Sequence, residues 1–172
     1  MALVVEDGTG KSDADSYLSE TDADTYHTKY TGSTDWSGAS SSEKEMALRK
    51  ATQYLDAVYG RRWKGVRANE AQALHWPRSN AEDRDGVAID DDDLPVMLER
   101  ATAEAALRAI TETNGLMPDI SDPGDIKREK KKLDVIEKDT EYMGGKSPIK
   151  KFRVIDLLVG DLIEDRGVLS RM

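Results

Sequence analysis

The chain has no cysteine among its 172 residues. That removes disulfides, thiolate metal sites and a cysteine nucleophile, and it fits a cytosolic origin. Histidine is nearly as scarce: only His27 and His75 occur, neither with a partner at metal-ligand spacing. With serines gathered in turns, no Ser/His/Asp constellation can be assembled, so no enzyme and no cofactor is expected. No apolar run approaches the ~18 residues that cross a bilayer, and no signal peptide opens the chain, which argues against a membrane partner. Internal repeats are missing, as are low-complexity tracts beyond one run of aspartates.

Apolar residues are thin as well. They make up 38% against 34% charged, low for a self-sufficient globule, so burial is expected to be completed against neighbours. Positive charge is also in deficit: the net value is −9, the wrong sign for a protein that grips nucleic acid. The charge comes in blocks. Residues 1–42 hold 2 basic and 8 acidic side chains, and residues 43–80 hold 8 and 4. Residues 81–93 hold 1 and 7, and residues 127–153 hold 10 and 5. Alternating blocks suit head-to-tail contacts between identical copies, and they equally suit a solvated surface.

What is present reads mostly as helix. Ala2–Val5 is a short β-prone run. Ser19 is an N-cap for a helix over 20–30 whose apolar face is Ala23, Tyr26, His27 and Tyr30. Residues 31–41, with Trp36, read as a flexible surface loop or partner contact. A second helix opens on the Ser42/Glu45 capping box and closes at Gly60 in a left-handed cap, with Ala47, Leu48, Ala51, Leu55 and Val58 at helical period. A third runs over 94–113, N-capped by Asp93 and ended by Asn114-Gly115, with Ala101, Ala103, Ala105, Ala106 and Ala109 permitting close helix approach. Residues 116–126 form a loop. Leu133–Ile136 reads as a strand with a basic approach that needs a pairing partner, either the N-terminal run or a neighbouring subunit. Residues 143–148 form a turn. A terminal helix over 150–165, weakened at Gly160, carries Ile155, Leu158, Val159 and Leu162 on one face, a candidate docking stripe for a neighbour.

Two loops imitate ligand sites. Asp7-Gly-Thr-Gly10 with Lys11-Ser12 resembles the end of a phosphate loop, but the glycine required five residues before Gly10 is Val5. Residues 81–92, with Gly86 sixth, imitate a calcium loop, yet the first position is Ala81 and the twelfth is Asp92 rather than a bidentate glutamate.

Two segments carry the most specific chemistry. In Gln72-Ala-Leu-His-Trp-Pro-Arg78, Pro77 forces Trp76 into extended backbone. Trp76 is thereby expected to plug the seam between two helices, with the Arg78 donor fork pointing away from it. Gln72 and Leu74 belong to the same structural motif. In Arg61-Arg62-Trp63-Lys64-Gly65-Val66-Arg67, four cations surround one indole. Such a cluster either grips a single strand, with bases stacked on the ring, or meets a helix end or subunit with Trp63 in the core.

Together with the order of segments, these residues resemble the tailed-phage proteins described as "putative DnaT-like single-stranded DNA-binding". The resemblance spans the N-terminal strand and Gly-Thr-Gly turn, Ser16-Tyr17, Ala23/Tyr26, Ala47-Leu48 with Ala51, Gln72–Arg78, Pro95 with Ala101, the lysine-rich strand and Leu157-Leu158. Members of that group are similar to head–tail connectors, or adaptors. The resemblance implies one mainly α domain, a small helical bundle with a β-hairpin element and extended arms. Its helical core covers about 16–115, and a strand-plus-helix arm covers about 125–172. It further implies a homo-oligomeric ring of twelve copies in the virion neck, assembled in the host cytoplasm. The ring would partner the portal and a tail protein and pass DNA without specific binding. The alternative is a single-stranded DNA-binding accessory factor of replication, which needs a continuous basic groove.

Overall fold

A computed structural model of the chain describes residues 2–113, 115–117, 129–133, 136–140 and 150–164, and of the strands over 129–133 and 136–140 only the backbone. The fold is mainly helical, as expected. Helix α1 spans Glu20–Tyr30, the short α2 Thr34–Gly38, α3 Ser41–Tyr59, α4 Val96–Thr111 and α5 Arg153–Val159, which continues as one 3₁₀ turn over Gly160–Leu162. Three two-stranded antiparallel pairs accompany them: β1 (Val66–Arg67) with β2 (Arg78–Ser79), β3 (Ala81–Glu82) with β4 (Ala88–Ile89), and β5 (Glu129–Leu133) with β6 (Ile136–Thr140).

Helices α1, α2 and α3 begin where a serine side chain satisfies a free N–H group. Ser19 accepts from Asp22 N at the start of α1. At α3 the capping box is Ser40 with Glu43, two residues ahead of the expected pair. Gly60 caps α3 in the right-handed region, not the left-handed one. Glycine is needed there because a Cβ would overlap the Asp56 carbonyl and the His75 ring. Helix α4 follows Pro95 without a side-chain cap; Asp93 instead accepts from Leu94 N at 2.9 Å.

The core lies between α3 and α4, the most extensive helix pair. Ala101, Ala103, Ala105 and Ala106 are fully buried, and side chains this small let the helices approach closely. Against them sit Leu48, Ala51, Tyr54 and Leu55 of α3, all buried. Two surface expectations reverse. Trp36 lies in a helical turn, not a flexible loop; it is buried, and its Nε1 donates to Asp24 at 2.7 Å. Tyr30, expected on the apolar face of α1, is 53% exposed.

The N-terminal run makes a single bridge, Val5 to Ser16. The loop after it wraps a carboxylate. Glu6, almost wholly buried, accepts from Asp7 N, Gly8 N and Gly10 N through Oε1 and from Lys11 N through Oε2 at 2.9–3.1 Å. The backbone donors that a phosphate would need are already occupied.

The chain divides into two compact units. One comprises Met1–Leu116 with Lys151–Met172, and the other comprises Met117–Lys150. Helix α5 therefore groups with the bundle rather than with an arm. In the second unit β5 pairs with β6, from Glu129 opposite Thr140 to Leu133 opposite Ile136. The lysine-rich strand thus finds its partner in the next strand, rather than in the N-terminal run. The expected loop 116–126, from residue 118 on, and the expected turn at 143–148 lie outside the described residues.

Candidate functional site

The Gln72–Arg78 segment is held from both sides. Gln72 is buried; its Oε1 accepts from Asn69 N at 2.8 Å, while its Nε2 donates to the carbonyls of Leu74 and Pro77 at 2.8 and 3.1 Å. Leu74 is buried and Trp76 is fully buried, and the Trp76–Pro77 bond is cis. The Arg78 fork donates to three carbonyls: Lys64 at 2.7 Å through Nε, Gly65 at 2.7 Å and His75 at 3.0 Å. The fork thus ties the segment to the 61–67 turn. Burial lowers the guanidinium pKa, partly offset by the Tyr17 and Asp56 charges.

Beneath the segment lies a polar lock that the sequence did not reveal. Tyr17 Oη donates to Asp56 Oδ1 at 2.6 Å and accepts from the backbone N–H groups of His75 and Trp76 at 3.0 and 3.3 Å. Asp56 Oδ2 also accepts from His75 N at 3.2 Å. Burial raises the Asp56 carboxyl above its ordinary range, and burial followed by the Asp56 charge raises the Tyr17 phenol. These three residues are 39 and 58 positions apart, so no local spacing could have signalled them.

Within the Arg61–Arg67 cluster the indole is turned inward, while the cations are half-buried or exposed. Trp63 is 3% exposed, with Trp76 edge-on at 6.0 Å and Tyr59 at 5.8 Å. Its backbone bridges Ile163. Lys64 Nζ donates to the carbonyls of Asp161 and Glu82 at 2.8 and 3.1 Å. Arg62 donates to the Glu164 carbonyl at 3.3 Å, and Arg67 to that of Gln72 at 3.5 Å. Arg61 and Arg67 are exposed at its rim. Arg62 and Lys64 fasten the C-terminal segment, and Lys64 the β3–β4 hairpin, to this turn, and the indole belongs to the core. A base could not stack on it without unfolding the turn.

The exposed pairing of aromatic and cation lies elsewhere. Lys29 Nζ sits 5.2 Å and the Arg100 guanidinium 5.5 Å from the centre of the half-exposed Tyr30 ring. Asp22 and Glu99 border the same surface. Burial raises the Glu99 carboxyl, helped by the nearby Asp22 and Asp93 charges.

The C-terminal stripe is used within the chain. Ile155, Val159 and Leu162 are buried and Leu158 is half-buried, while Asp156 accepts from Tyr59 Oη at 2.5 Å. The residues that α5 turns outward are Val154 and Leu157, 44% and 67% exposed. In the acidic segment, Asp83 Oδ1 accepts from Asp85 N and Val87 N at 2.8 and 2.9 Å, shaping the β3–β4 turn. Among the described residues, no group of three or more His, Cys, Asp or Glu side chains is placed to hold a metal ion. No helix among them is long and apolar enough to cross a membrane.

No curated protein and no solved structure matches the chain. A family model does: the one described as "Putative DnaT-like ssDNA binding protein" matches residues 1–172, and the chain belongs to that family.

Proposed function

We propose that the chain is a structural subunit of a phage head–tail connector, a ring beneath the portal that extends the DNA channel and docks the tail. The observation that carries this reading is the burial of Trp63, which takes the indole of the Arg61–Arg67 cluster away from any strand. The segment best composed to grip a strand serves instead as an internal fastening, with Trp63 in the core. The β5–β6 pair supports it further. A two-stranded pair is marginal alone in water, and an open strand edge is a natural place for a neighbouring subunit. The blocks of opposite charge are compatible with head-to-tail contacts between copies. Ring size, portal and tail partners, placement in the virion neck and the absence of catalysis are parts of this proposal. The test is to mix the purified chain with the portal ring of the same phage and follow mass by light scattering. A defined complex is expected. A chain that ignores portal and binds oligonucleotide would overturn the connector reading.

The second reading, a single-stranded DNA-binding accessory factor, is favoured by the family's own description. If it holds, the platform is Tyr30 with Lys29 and Arg100, since bases stack on exposed rings beside cations. Fluorescence anisotropy of a labelled oligonucleotide at about 50 and 200 mM salt separates the two, because binding through several phosphates falls steeply with salt. Submicromolar binding at the higher salt, lost in Tyr30→Ala and kept in Arg61→Ala, would establish the second reading. Weak binding confined to low salt fits the first.

A further inference from the structure

Nine large apolar side chains are exposed among the described residues, and four of them fall into two pairs towards opposite ends of α4. Val96 and Met97, 55% and 38% exposed, open α4 directly after the exposed Asp91, Asp92 and Asp93. Val154 and Leu157 lie one turn apart on the outer side of α5, after the exposed Lys151 and Arg153. Helix α5 begins beside the far end of α4, where the Arg108 guanidinium lies 5.3 Å from the centre of the Phe152 ring. The twelve steps from Val96 to Arg108 rise about 18 Å along the helix. The molecule thus carries an apolar pair framed by carboxylates at one end of α4 and an apolar pair framed by cations towards the other.

We infer that these are the two halves of one subunit contact: the start of α4 with Asp91–Asp93 docks on the outer face of α5, with Lys151 and Arg153, of a second copy of this chain. The occupant follows from charge complementarity. Carboxylates meet cations around a shared apolar centre, the usual arrangement of a specific interface. The cations nearest Val96 do not oppose this, since Lys29 and Arg100 are held at the Tyr30 ring. On α5, Asp156 is engaged by Tyr59. Because the two patches differ, the contact is heterologous, and its repetition gives a closed ring or an open filament, not a two-fold dimer. The inference rests on the connector reading to the extent that a connector must self-assemble.

The test uses the full-length chain in light scattering, with Leu157→Asp and Val96→Asp each blocking one patch. Both positions are exposed, and an aspartate in the first turn of α4 is compatible with the helix dipole. Unchanged circular dichroism melts would confirm that both variants fold. The wild type is expected to form multimers that weaken as salt rises, and each variant alone to be monomeric. An equimolar mixture should give a 1:1 dimer and nothing larger, since each variant keeps the patch the other lacks. Arg153→Glu should disrupt assembly, and adding Asp92→Arg should restore it. Wild-type multimers that survive both single substitutions would overturn this interface and leave the connector reading standing. A mixture that stays monomeric would overturn the head-to-tail pairing. A wild type that does not associate even near ~1 mM subunit, where contacts worth about 4 kcal/mol become visible, would overturn the interface and leave the connector reading to the portal experiment.

Discussion

At the scale of single residues, Trp76 carries the largest consequence. It is fully buried and packs edge-on against Trp63. Trp76→Ala should cost about 3–5 kcal/mol, the range for emptying a large aromatic site. Trp76→Phe should cost less, since Nε1 has no hydrogen-bond partner to lose; chemical denaturation of both variants checks the order. Arg78→Ala leaves three carbonyls without their donor, at about 1–3 kcal/mol for each that stays dry. Arg78→Lys should not restore the loss, because one ammonium cannot reproduce a planar fork. His27 sets an acid limit. It is buried with its ring 4.5 Å from Trp36, and burial holds its pKa below the ordinary 6.5. Below 6.5 the unfolded chain takes up a proton that the folded chain refuses. The stability from the neutral ring is thus full above 6.5 and lost as pH falls from there through the folded value. Melts at about pH 7.5 and 5.5 should show a fall in the wild type that is smaller in His27→Gln.

Among the elements, α3 offers the cleanest measurement. Ser40→Ala removes the reciprocal cap and should cost about 1 kcal/mol, whereas Ser42→Ala should cost far less. The pair of outcomes also explains what the sequence could disclose. Ser40/Glu43 and Ser42/Glu45 both satisfy the capping pattern, so local chemistry announces a helix start without settling its register. Helix periodicity disclosed α1 and α3 because their buried residues recur along one face, whereas α4, buried all round from Ala101 to Ala106, was disclosed by its run of alanines. Periodicity erred at Tyr30, where an apolar period continues past the end of the surface that covers it. Trp36 was missed because five residues are too few to show a period, and its anchor, Asp24, lies on another element. The Arg61–Arg67 turn could be read either as grip or as fastening. The decision came from carbonyls at residues 82, 161 and 164, positions that composition cannot bring together. The Tyr17–Asp56–His75 lock was invisible for the same reason.

On the scale of the whole molecule, the path of the chain matters. Residues up to Leu116 and residues from Lys151 on belong to one compact unit, and the β5–β6 pair belongs to the other. Ile155, Val159, Leu162 and Ile163 are buried in the first unit, and the Lys64, Arg62 and Tyr59 side chains bond to this C-terminal segment. The first unit is thus built from two stretches of chain, one up to Leu116 and one from Lys151 on. A single cut between them should yield two pieces that behave as a complementing pair. With a protease site engineered into residues 141–149, cleavage should give two bands on a denaturing gel and one species of unchanged mass on a native column. Dilution should then separate the pieces, because the cut turns an internal docking step into a bimolecular one. Helix α5 could accordingly be supplied as a separate peptide, and a labelled version would report directly on how firmly the core holds its last element.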